Sequence, residues 1–78
     1  MSDWIVNLEE RTVTHGPSSS HCSFYKYPNP ENVTAPNVLK PGPNWDRFFS
    51  SHQELCEAAT NAFRAKLGLS LLSSSGGS

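Results

Sequence analysis

Seventy-eight residues support one small domain. Hydrophobic residues at 36% and charged residues at 17% exclude a solvated charged tail, and no apolar run approaches the roughly 20 residues that span a bilayer. Six basic against seven acidic side chains give a formal charge of −1 and a pI near 6.2, so no long-range field draws the chain to nucleic acid or anionic lipid.

Met1–Ser2–Asp3–Trp4 lacks the basic start and apolar stretch of a signal peptide, which predicts a soluble, intracellular protein of the cytoplasm. Cys22 and Cys56 are then expected as two unlinked thiols, with a single bridge or half of a zinc site as alternatives. The glycosylation pattern at Asn32–Val33–Thr34 would be idle there.

Trp4, Val6 and Leu8 alternate with Ile5, Asn7 and Glu9, the period-two pattern of a strand with three apolar side chains on one face. Glu9–Glu10 break the pattern before the β-branched run Arg11–His15, so the two segments read as an antiparallel hairpin. The turn lacks an Asn-Gly or Asp-Gly pair, which leaves its register open. Gly16–Ser20 reads as a loop that supplies nothing to a core. Cys22–Tyr27 is expected as a third strand, with Cys22 and Phe24 on one face and Tyr25 and Tyr27 on the other. Pro28 would end it, because proline cannot donate to a ladder.

Residues 28–44 hold five of the six prolines and no periodicity, which predicts a long Pro/Asn-rich connection over residues 28–47, interrupted at most by a short strand or a turn at Val38–Leu39. The helix is the clearest element. Ser51–His52–Gln53–Glu54 fits a capping box, and Leu55, Cys56, Ala59, Ala62, Phe63 and Leu67 recur on one stripe behind it. Arg64 and Lys66 suit the C-terminal dipole, and Gly68 is the stop. Trp45, Phe48 and Phe49 form a bulky group just upstream. Residues 70–78 end in Ser73–Ser78, which cannot pack and reads as a flexible tail.

These elements predict a single α+β domain over residues 1–69: an antiparallel sheet of two or three strands packed by one C-terminal helix. Its expected core is Trp4, Val6, Leu8, Phe24, Leu55, Ala59, Phe63 and Leu67.

Few patterns carry chemistry. His52 and Cys56 stand one helical turn apart and, with Cys22 and His21 (or His15), make a ligand set adequate for tetrahedral zinc. No C-x2-C pair is present, and adjacent His21 and Cys22 point to opposite faces of a strand, so no metal and no cofactor is expected. A Cys56 nucleophile with His52 as base lacks an orienting group, and Cys56 falls on the apolar stripe. Lys40–Pro41–Gly42–Pro43 is no phosphate loop. The residues therefore predict a protein that is not an enzyme.

Two binding readings remain. Tyr25 and Tyr27 flanking Lys26 would make a small stacking platform for nucleic acid, but the six basic residues are scattered along the chain. Aromatic anchors beside polar neighbours also suit a protein interface, and Tyr25, Tyr27, Arg11 and Arg47 are the contact residues expected there. The leading expectation is a non-catalytic module that occupies a partner protein as an inhibitor, adaptor or regulator. A nucleic-acid module and a zinc-stapled interaction domain are the alternatives.

Overall fold

The computed structural model describes residues 3–25, 27–29 and 32–71. It is an α+β fold with one antiparallel sheet of four strands, β1 (Trp4–Asn7), β2 (Thr12–His15), β3 (Ser20–Ser23) and β4 (Val38–Lys40), in the order β1-β2-β3-β4. A 3-10 turn at Trp45–Arg47 leads to helix α1 (His52–Lys66). The sheet thus has one strand more than expected. The short Val38–Leu39 signal becomes a full edge strand because β3 offers its free side to it, pairing Cys22 with Leu39.

Register separates the two faces. Val6, Val13, Cys22 and Leu39 form one cross-strand row, and Trp4, His15 and Ser20 form a second row on the same side. That side faces α1. Ile5, Thr14, His21 and Lys40 line up on the opposite side, where Ile5 is 65% exposed. The core cluster joins Val13, Cys22, Phe24 and Val33 to Ala59 and Phe63 of the helix, with the Phe24 and Phe63 rings stacked at 4.6 Å. Leu55 is also fully buried.

The expected core needs one correction. Leu8 is 41% exposed, because β1 ends at Asn7 and the chain turns over residues 8–11. The Asn7 Oδ1 accepts from the Glu10 amide at 3.0 Å, and Arg11 adopts φ 57°. A side-chain-closed turn ending in a left-handed residue thus does the work of the missing Asn-Gly pair. Trp4, Val6 and Leu67 are partly buried and pack against the cluster as expected.

The third strand lies earlier than the aromatic run suggests. Ser20–Ser23 forms the ladder, the Phe24 amide adds one bond to the Arg11 carbonyl at 2.8 Å, and the chain then turns. The Tyr27 amide reaches back to the Phe24 carbonyl at 3.3 Å, which brings Tyr27 against the core instead of onto the outer sheet face. The connection that follows is anchored: Val33 is fully buried, and its carbonyl accepts from Arg64 Nη1 at 2.8 Å.

Helix α1 begins where the cap places it. Ser51 Oγ accepts from the Glu54 amide at 3.2 Å, while the Glu54 carboxylate reaches one residue past the usual partner and accepts from the Ser50 amide and hydroxyl. At the far end Leu69 N–H donates to the Arg64 carbonyl at 2.8 Å and Gly68 N–H to Ala65 at 3.1 Å, with Gly68 at φ 80°. This is a Schellman closure, and glycine meets its φ without strain. Thr60, beside the apolar stripe, is also fully buried; its hydroxyl donates to the Cys56 carbonyl at 2.7 Å, which leaves the methyl free to pack. Beyond the helix, the Ser70 carbonyl accepts from Arg64 Nε, and residues 72–78, with the Ser/Gly run 73–78, lie outside the described residues.

Candidate functional site

The predicted contact residues fall at two separate ends of the sheet. Arg11 closes the β1–β2 turn, and its Nη1 donates to the Tyr27 carbonyl, so Arg11 and Tyr27 brace the turn after β3. Tyr27 is partly buried against the core cluster and Tyr25 is 54% exposed. Lys26 lies outside the described residues. Arg47 sits beside Phe48, whose ring meets His15 at the other end of β2. Four residues of strand, roughly 13 Å at about 3.4 Å per residue, separate that end from Arg11.

The second end carries the densest aromatic grouping. Trp4 lies 4.6 Å from the His15 ring and 6.1 Å from Phe49; His15 also meets Phe48 at 5.2 Å and Phe49 at 5.1 Å, both edge-on. Trp45 lies 4.4 Å from His52 at the first residue of α1. These rings come from β1, β2, the 3-10 turn and the helix start, so their orientations are fixed by four elements together. Phe48 is 47% exposed while its edge contact holds it, and Arg47 beside it is exposed. The Trp45–Phe48–Phe49 grouping is visible in the sequence; its meeting with Trp4 and His15 depends on sheet register.

Beneath this end runs a buried polar chain. Gly42 N–H donates to Ser20 Oγ at 2.9 Å, Ser20 Oγ lies 2.8 Å from Ser18 Oγ, and Ser18 Oγ lies 2.7 Å from His15 Nδ1. All three side chains are buried, which overturns the expectation that the Gly16–Ser20 loop supplies nothing to the interior. Hydroxyls enter a core when they are hydrogen-bonded there, and this chain gives each serine hydroxyl two partners. Burial lowers the His15 pKa, against the opposing pull of Asp3, so the ring is held neutral.

Of the four residues of the metal alternative, Cys22 and Cys56 are neighbours and the two histidines are not brought to them. His21 lies on the outer sheet face, its Nδ1 3.0 Å from Thr14 Oγ1, while Cys22 points to the core. His52 is exposed against Trp45, and Cys56 is half-buried one helical turn on. Among the described residues no three His, Cys, Asp or Glu side chains converge on a point that could hold an ion.

Both cysteines are free. Burial, and after it the neighbouring Cys56, pushes the Cys22 thiol up to about 12. Burial and then Glu57 raise Cys56 as well. A thiol raised in this way is a poor nucleophile at neutral pH, since the thiolate is the reactive form.

No protein-family model, curated protein or solved structure matches the chain.

Proposed function

We propose that this is a non-catalytic module that binds another protein, acting in the cytoplasm as an inhibitor, adaptor or regulator. The observation that carries this reading is Phe48: a large apolar ring, 47% exposed, held in place by its contact with buried His15. A side chain fixed before binding loses little conformational entropy in a complex, and aromatic rings dominate binding energy at interface centres. Trp45 and Arg47 precede it in sequence and supply other residue types enriched at such centres. Two raised thiols and a buried histidine favour this reading over catalysis. Tyr25, exposed at the opposite end, is a second contact point in this reading.

The test is capture of partners from the native host by the full chain, identification by mass spectrometry, and titration of the purified partner against Phe48→Ser and Tyr25→Ser. Phe48→Ser is expected to weaken binding by about 2 kcal/mol or more, the scale of an interface hot spot. Its circular dichroism should match that of the parent. Unchanged affinity in both variants would contradict the reading.

A further inference from the structure

We propose that His15, Ser18 and Ser20 form an acid-sensitive latch that docks residues 41–49 onto the sheet while the imidazole is neutral and releases them when it is protonated. This device does not depend on the binding reading.

Two of the contacts that hold the segment lead to His15, beside those of Phe49 with Trp4 and of Trp45 with His52. Gly42 lies against the backbone of the β2–β3 turn so closely that a Cβ there would fall 1.7 Å from the Ser18 carbonyl oxygen. Its amide ends the hydrogen-bond chain through Ser20 and Ser18 to His15 Nδ1. Phe48 and Phe49 meet the His15 ring directly, at 5.2 and 5.1 Å.

Proton direction along the chain depends on the state of the histidine. An amide can only donate, so Ser20 Oγ accepts from Gly42. With Nδ1 unprotonated, Ser20 donates to Ser18, Ser18 donates to His15, and each hydroxyl proton is used within the chain. From the tautomer whose proton is on Nε2, protonation turns Nδ1 from acceptor to donor, Ser18 then donates to Ser20, and the Ser20 proton loses its place in the chain. A buried donor without a partner and a desolvated charge are both unfavourable. The surrounding rings offer a cation some attraction, and the latch requires that desolvating the charge outweigh it.

The charges around His15 are few. Asp3, just before β1, acts on it and favours the protonated form, but burial is the larger influence. Asp46 and Arg47 on the 3-10 turn are exposed. At the start of α1, His52 packs on Trp45 and Glu54 bonds to Ser50. His21 projects from the other sheet face onto Thr14. The closed segment therefore takes up a proton less readily than the open one. Opening begins as pH falls below the ordinary histidine value of about 6.5 and levels off once pH passes below the closed-state value.

Hydrogen exchange by NMR on the full chain tests this, with the His15 ring titrated in the same samples. The Gly42 amide is expected to lose protection with the His15 midpoint, by up to about tenfold per pH unit for one-proton linkage. The Phe63 amide in α1 should keep its protection throughout. Gly42 protection that ignores pH, or falls in step with Phe63, would overturn the latch. His15→Gln retains an acceptor for Ser18 without titrating and should hold Gly42 protected down to pH about 5. Should that variant not fold, His21→Gln and His52→Gln replace it: both must keep the transition, and its loss in either would overturn the assignment to His15.

Discussion

At the residue scale, neighbours decide what a side chain does more than its type does. Gly42 is the sharpest instance. Its Cβ position is occupied by the backbone of Ser18 and Ser19, so Gly42→Ala is expected to destabilise by about 3 kcal/mol or more, the upper range for overpacking. The loss should read as a lowered melting temperature. Phe24 and Phe63, both in the core and stacked on each other, should each cost about 3–5 kcal/mol on truncation to alanine in urea unfolding. Leu8→Ala at an exposed turn position should stay within about 0.5 kcal/mol. Periodicity alone placed Leu8 with Trp4 and Val6; it could not register that the Asn7 side chain would close the turn one residue earlier. The burial of Ser18 and Ser20 was hidden for a related reason, since their partners His15 and Gly42 come together only through sheet register and a distant loop.

At the scale of elements, α1 was legible almost to the residue because its signals are local. Cap, stripe and stop all lie within the helix and its flanks. Ser51→Ala should therefore cost about 1 kcal/mol, measured by thermal unfolding. The Glu54 carboxyl is held below its ordinary range by the hydroxyl and then the amide of Ser50. A carboxylate lowered in the folded state contributes stability above its ordinary pKa, and that contribution fades as pH falls through the lowered value. Glu54→Gln should accordingly flatten the acid limb of the helix unfolding profile. Strand β3 was less legible: aromatic residues favour strands, yet Phe24 stacks on Phe63 and the following turn carries Tyr25 and Tyr27 out of the ladder. Strand β4 rested on three residues, and pairing with β3 settles it.

At the scale of the whole molecule, the cysteines and histidines among the described residues are turned inward or engaged by neighbours. Cys22 lies in the core cluster and Cys56 beside it on the helix; His15 is buried against aromatic rings and bonded to buried Ser18; His52 packs on Trp45 and His21 bonds to Thr14. The four residues expected to contact a partner lie at two ends of the sheet, since no sequence spacing reports which loops share an end. What the domain presents outward is surface, with Phe48 and Tyr25 among its exposed large apolar side chains.

The most direct test of that arrangement is the rate of thiol alkylation by iodoacetamide at pH 7, followed by mass spectrometry in the folded and urea-unfolded chain. Both cysteines should react more slowly in the folded protein than in the unfolded one, with Cys22 the slower. If either reacts faster when folded, an activated thiol is present and the protein does chemistry that a purely binding domain would not.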